Sequence, residues 1–161
     1  MAVNINKLIT GSMRIVPPPR EFTRIWWSND DSDYSDCPAN NGTFKSSCLP
    51  EGKTNKDAVK VEFGSDVTSI GQMAFLNCTN LTSLIVPDSV TSIMGSAFYG
   101  CSGLTSVTIG NGMTSIDNGA FNNCTNITDV YIGDIAKWCN INFSGAYSNP
   151  IYYSHRFFLN G

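Results

Sequence analysis

The sequence predicts a mainly β fold, a solenoid with coils of about 23 residues, each made of short strands plus a helical turn. An irregular N-terminal segment of strands and loop precedes it. Three observations predict this fold. Residues 59–127 repeat one text: VKVEFGSDVTSIGQMAFLNCTNL, then TSLIVPDSVTSIMGSAFYGCSGL, then TSVTIGNGMTSIDNGAFNNCTNI. Cys78, Cys101 and Cys124 recur at one constant interval, and Phe75, Phe98 and Phe121, and Ile70, Ile93 and Ile116, recur at the same interval. No single unit carries enough apolar surface to fold alone, so the units must stack.

The elements of one unit follow from its spelling. In Leu84-Ile85-Val86, Val107-Thr108-Ile109 and Val130-Tyr131-Ile132 the outer residues are apolar and the middle one drifts between types. That is the period-2 pattern of a strand with one buried face. Pro87, Gly110 and Gly133 follow and turn the chain. A second short β-branched piece comes next, as in Val90-Thr91-Ser92-Ile93. The Ala-Phe-x-x-Cys-x-x-Leu/Ile piece then spaces its apolar residues as one or two helical turns do. The period falls within the range of leucine-rich solenoids, roughly 20 to 29 residues.

Stacking at the strand spacing of about 4.8 Å lines identical residues into ladders. The expected ladders are Val61/Leu84/Val107/Val130, Phe63/Val86/Ile109/Ile132, Ile70/Ile93/Ile116, Phe75/Phe98/Phe121, Cys78/Cys101/Cys124 and Leu81/Leu104/Ile127. Side chains one coil apart keep their Cβ atoms near the strand spacing, beyond the roughly 3.5 to 4.5 Å of a disulfide. The cysteine ladder is therefore expected to be inert core thiols. Between the buried positions, Glu62, Ile85, Thr108 and Tyr131 should point outward in register, either as a stripe of the kind along which solenoids bind proteins or as a merely solvated face.

This text resembles the BspA-like leucine-rich repeat family, whose pattern LTSxxIPxSVTSIGxxAFxxCxxL is matched by Leu81-Thr82-Ser83-Leu84-Ile85-Val86-Pro87-Asp88-Ser89-Val90-Thr91-Ser92-Ile93 and Ala97-Phe98-Tyr99-Gly100-Cys101. Gly110 replaces the usual Pro, and Met94 and Asp117 the usual Gly. Residues 128–161, with Trp138-Cys139 and Pro150-Ile151-Tyr152-Tyr153, resemble a longer variant unit of the same family. The units are then 59–81, 82–104, 105–127 and 128–161. The resemblance implies an extended binding or adhesion scaffold on the surface of gut or oral bacteria, sometimes recognising host matrix proteins. Phages of those bacteria carry similar repeats. It implies no catalytic residues.

Charge and composition exclude several classes. The chain of 161 residues is 42% hydrophobic and 14% charged, which rules out disorder throughout. A net charge of −3 argues against a nucleic-acid footprint. The charge is uneven: acidic and basic residues balance in 1–58, whereas 59–161 carries Lys60, Lys137 and Arg156 against Glu62, Asp66, Asp88, Asp117, Asp129 and Asp134. The solenoid is the acidic part. No apolar run reaches the length of a membrane span, and residues 1–16 lack the apolar core and cleavage site of a secretory signal.

Residues 1–58 stand outside the repeat grammar and read as an arm that docks or caps. Val3, Ile5, Leu8 and Ile9 suggest a short strand or apolar arm, and residues 13–16 another strand. Pro17-Pro18-Pro19 makes a stiff extended spacer. Residues 21–27 form a further expected strand, with Trp26 and Trp27 as local core or part of the docking arm. Residues 28–56 read as one long polar loop. In it, Asp30, Asp31, Asp33 and Asp36 fall short of a calcium loop, because Asp36 and Gly42 stand where Gly and Glu are needed. Cys37 and Cys48 sit in the same loop, where a disulfide is expected if the chain lives outside the cytoplasm. No second pair at zinc spacing accompanies them.

The one histidine, His155, lies among aromatics and matches a packing position of the variant unit. No nucleophile and base can be paired, and no Gly-rich phosphate loop follows a strand. The reading is a non-enzymatic chain without cofactor or metal, meeting protein partners, a copy of itself or an assembly shell. Two settings follow from it. In one, the N-terminal arm attaches the module to a phage virion, favoured by the missing export signal; in the other, the chain is a fragment of a bacterial surface adhesin.

Overall fold

The computed structural model describes residues 22–29, 32–39, 41–45 and 53–159. Two parallel sheets run along the stack. One has strand order β12-β10-β8-β6, built from β6 (Ser83–Val86), β8 (Ser106–Ile109), β10 (Asp129–Ile132) and β12 (Arg156–Leu159). The other has order β11-β9-β7-β5-β3, from β3 (Thr43–Phe44), β5 (Ser69–Ile70), β7 (Ser92–Ile93), β9 (Ser115–Asp117) and β11 (Asn142–Ser144). Register follows the repeat: Leu84 pairs with Val107 and Val107 with Val130, and Ile70 pairs with Ile93 and Ile93 with Ile116. The expected ladders are buried between the sheets, apart from the half-buried Phe63.

The recurring Thr-Ser pairs are explained by this stacking. Thr91 Oγ1 donates to Thr68 O at 3.1 Å and Thr114 Oγ1 to Thr91 O at 2.8 Å, each one coil back. Thr105 and Thr128 do the same at the entrance to the longer strands, toward Thr82 O and Thr105 O. A threonine there supplies a donor to the neighbouring coil that a valine of the same shape would lack.

The third side of each coil is a run of tight turns. Ala74 N donates to Gly71 O, Leu76 N to Met73 O, Cys78 N to Phe75 O and Leu81 N to Cys78 O, and the pattern recurs in the next two coils. A continuous helix is prevented because Met73 (φ 56), Asn77 (φ 59), Ser96 (φ 57) and Asn123 (φ 62) adopt left-handed backbone. Gly119 and Gly100 hold the equivalent positions in their coils, where the conformation carries no Cβ penalty. These turns also bond between coils, as Phe75 N to Ala97 O at 2.7 Å and Phe98 N to Ala120 O at 2.9 Å.

The aromatic ladder is a column of parallel rings. Phe75, Phe98 and Phe121 stack at centroid separations of 5.3 and 5.5 Å with interplanar angles of 2° and 9°. The column is longer than the repeats alone imply, because Phe44 stacks on Phe75 at 5.0 Å. Phe63 closes against both edge-on, at 6.1 and 5.9 Å.

The segment 28–56 is not one loop. It contains β2 (Tyr34–Cys37), β3 and the start of a 3-10 turn at Asn55–Asp57. β1 (Thr23–Trp26) is the strand expected in 21–27, and it pairs antiparallel with β2 on one side and with β4 (Lys60–Glu62) on the other. A three-stranded antiparallel sheet thus covers the N-terminal end of the stack. The boundary at 58/59 is crossed in both directions, since β3 joins the solenoid and β4 joins the cap. Residues 1–21, including Ile5, Leu8 and Ile9, lie outside the described residues.

The last coil carries an insertion. Asp134 caps helix α1 (Ile135–Cys139) by accepting from Ala136 N and Lys137 N. Phe157 then pairs with Val130 and Phe143 with Ile116, each of them later in the chain than the regular interval would place it. Among the described residues no helix is long and apolar enough to cross a membrane.

The packing sets the cost of two substitutions. Phe98 is fully buried between two rings, so Phe98→Ala should cost about 3–5 kcal/mol in denaturant unfolding; a loss under about 1 kcal/mol would contradict the ring column. Ser96→Gly should be neutral or stabilising by up to about 1 kcal/mol because it relieves the left-handed backbone, whereas Ser96→Val should destabilise by more than that. Thermal melts of the two variants check the sign of each.

Candidate protein-recognition face

The strands β6, β8 and β10 of the longer-stranded parallel sheet alternate strictly, with β6 exposing Ser83 and Ile85 and burying Leu84 and Val86. Because the period is two, every second residue of β6, β8, β10 and β12 lies on the outer face. Ile85, Thr108 and Tyr131 are paired in register there, as expected. Ile85 is 63% exposed, while Thr108 and Tyr131 are half-buried by their neighbours.

The row is longer than the repeats suggest. Phe158 pairs with Tyr131 and stacks on its ring at 4.8 Å and 13°. Arg156 at the start of the same strand donates through Nη2 to Asp129 Oδ2 at 2.8 Å, tying the last strand to its neighbour by charge. The signal for Phe158 is the aromatic and apolar text of residues 156–159, but the insertion in the last coil hides it from a comparison at the regular interval.

Glu62 is not in register with Ile85 as expected: it lies on β4, which pairs with β1 of the cap and not with β6, so it stands beside the end of the row. It pairs with Lys60 at 2.9 Å. The Lys60 ammonium in turn lies 4.3 Å above the Trp26 ring. Arg24 completes this face: its guanidinium makes a two-pronged contact with Asp36 at 2.6 and 2.8 Å and sits 3.8 Å over the Tyr34 ring. Asp36 raises the Arg24 pKa by that hydrogen bond. The acidic residues of the expected loop are thus partly committed to cations, with Asp33 also within 3.7 Å of Lys53. Asp30 and Asp31 lie outside the described residues.

Trp26 and Trp27 are both buried in the cap, and Trp27 Nε1 donates to Ser35 Oγ at 3.0 Å. Cys37 is fully buried on β2, within the core, and Cys48 lies outside the described residues. His155 is exposed rather than packed, just before β12, with its backbone N–H donating to Thr128 O. The register explains this: residue 155 precedes the strand, so its side chain is not held by the ladder.

The cysteines of the ladder remain thiols, and two of them use their S–H groups locally. Cys101 Sγ donates to Phe75 O at 3.1 Å and Cys124 Sγ to Phe98 O at 3.0 Å. The neighbouring Cys101 thiol and burial both push the Cys124 thiol up, away from the reactive thiolate. Among the described residues no cluster of three or more His, Cys, Asp or Glu side chains could hold a metal ion.

Several solved structures are similar to this chain. A leucine rich cell surface protein of Faecalibacterium prausnitzii is 33% identical over 50% of this chain and 22% of that one, with a TM-score of 0.48. A leucine-rich repeat protein of Bacteroides capillosus is 26% identical over 76% of this chain and 80% of that one, with a TM-score of 0.46. The leucine rich repeat protein of T. pallidum is 24% identical over 49% and 45%, with a TM-score of 0.41. The matched part of this chain spans only 22% of the Faecalibacterium protein. A comparison with curated proteins finds no match. The family model described as BspA type Leucine rich repeat region (6 copies) matches residues 53–150, more than half of the sequence, and the chain belongs to that family.

Proposed function

We propose that this chain is a non-enzymatic recognition module that binds a protein through the outer row Glu62, Ile85, Thr108, Tyr131 and Phe158. The observation that carries the reading is the in-register run Ile85, Thr108, Tyr131 and Phe158, beside which Glu62 stands on the neighbouring cap strand. It offers an exposed aliphatic side chain and a stacked aromatic pair on strands joined by one parallel ladder, with β8 and β10 paired on both sides and β6 and β12 on one. Rigid apolar and aromatic anchors lose little entropy on binding, and aromatics are prominent among the residues that dominate protein interfaces. Catalysis finds no such support, since the ladder thiols are buried and the one imidazole stands exposed without a nucleophile paired to it among the described residues.

The module fits a bacterial surface adhesin, where the family resemblance leads. A second reading, a virion component attached through residues 1–21, rests on the sequence of that segment: its apolar Ile5, Leu8 and Ile9 and its Pro17-Pro18-Pro19 spacer lie outside the repeat grammar.

The face is tested by replacing Ile85 and Tyr131 together with Ser, which removes the anchors without touching a core position. Circular dichroism should be close to wild type and melting still cooperative, lowered at most by the loss of the Tyr131–Phe158 stack, while binding to a cross-linked and purified protein partner weakens at least tenfold, about 1.4 kcal/mol or more. Unchanged binding rules the row out. For the attachment reading, removal of residues 1–21 should leave the repeats folded and abolish self-association or incorporation into particles. The deletion must stop there, because β1 begins at Thr23 and closes the cap. Normal assembly of the shortened chain would end the docking role.

A further inference from the structure

The seam between cap and solenoid breaks the outer face, and the break has a shape. β4 runs beside β6, yet its ladder partner is β1, so the β-sheet hydrogen bonding that joins β6 to β8 is not continued from β6 to β4. Between them opens a cleft of about 300 Å³ lined by Lys60, Val61, Glu62, Phe63, Ile85 and Pro87, with Ser83 at its rim. Val61 is buried at its base, and Phe63 is only half-buried where Val86, Ile109 and Ile132 of the same ladder are almost wholly covered. The divergence of β4 therefore leaves apolar surface uncovered that the other coils conceal.

From this we infer that the cleft is the anchor point of the recognition face and takes a single large aliphatic side chain, such as leucine, from an uncharged extended segment of the partner protein. The inference rests on the proposed face and adds the chemistry of what it binds. About 300 Å³ is at the bottom of the roughly 300–1,000 Å³ range of small-molecule pockets, which leaves room for one large side chain together with its flanking amides. Charge complementarity sets its polarity. The two ionic groups of the lining, Lys60 and Glu62, neutralise each other at 2.9 Å, and Lys60 is further engaged by the Trp26 ring. The lining therefore presents no net charge to attract an anionic or cationic ligand, while an uncharged side chain meets Ile85, Pro87, Val61 and Phe63. Amides flanking such a side chain find Ser83 and the ion pair at the rim.

The test uses the full chain and N-acetyl-L-leucine-N-methylamide, a leucine side chain between two amides, with the glycine analogue as control. Two-dimensional NMR should show saturable shifts at Lys60, Val61, Glu62, Ser83 and Ile85 with the leucine probe and none with the control. Ile85→Ser, at an exposed position, and Ser83→Trp, which fills the rim, should each weaken the probe at least roughly tenfold with the melting temperature unchanged. Absence of saturable shifts at those residues, equal shifts with the glycine control, or shifts confined to Tyr131 and Phe158 would overturn the anchor. If the probe fails while the Ile85 and Tyr131 double variant still loses its partner, the anchor falls and the face stands. If the probe binds but the double variant keeps its partner, the face falls and the anchor with it.

Discussion

Everything in this molecule depends on each coil satisfying its backbone with the coil beside it. A coil of this length cannot close its own hydrogen bonds, and an unpaired buried amide or carbonyl costs about 1–3 kcal/mol. The parallel ladders take up the two strand sides, the turn side bonds across coils through pairs such as Phe75 N to Ala97 O, and even cysteine thiols donate to carbonyls of the coil before. Once that lattice is fixed, side chains at one phase must share one environment. The repetition of Phe, Cys and Thr in the sequence is the imprint of a repeated backbone, and the uniform ring stacking along the Phe column shows how little the coils deviate.

A lattice of this kind has the difficulty of its ends, where a strand edge is left open to pairing. At the N-terminal end the solution is a change of sheet type. β4 leaves the parallel ladder and pairs antiparallel with β1, which β2 backs in turn. Paired charges and aromatics cover the outside of that cap, with Arg24 held between Asp36 and the Tyr34 ring. The same change of partner separates β4 from β6, so the cap and the cleft are two results of one divergence. At the other end, β12 exposes all of its residues and is fixed by backbone pairing with β10, the Tyr131–Phe158 stack and the Arg156–Asp129 ion pair.

Whether a residue's place is legible in the sequence depends on whether it keeps the period. The ladders, their register and the outward direction of Ile85, Thr108 and Tyr131 can be read because one constant interval governs them. Phe44 joins the column through its pairing with Ile70, and Phe158 joins the row through its pairing with Tyr131, both at longer intervals. A reading by period misses them, because their spacing is set by an insertion or by a different element rather than by the coil. β2 is hidden for another reason. Its text, Tyr-Ser-Asp-Cys, buries only Cys37 fully, so it lacks the apolar alternation that marks a strand and is held by its pairing with β1. The turns read as helical because their apolar spacing is nearly that of a helix. Only backbone geometry, in the left-handed Met73, Asn77, Ser96 and Asn123, separates the two.

The positions that the lattice constrains least are the ones on which the proposed recognition rests. In the outer row the residue changes from Glu to Ile to Thr to Tyr to Phe along the stack, while the flanking buried positions stay aliphatic or aromatic. A side chain that faces outward has no counterpart it must match in the next coil, so composition there can follow a partner instead of the core. The ladder fixes the fold, and the proposed choice of partner falls to residues the ladder leaves open. The cap adds to this, because beside it, between Lys60 and Ile85, the face opens into the cleft proposed as its anchor.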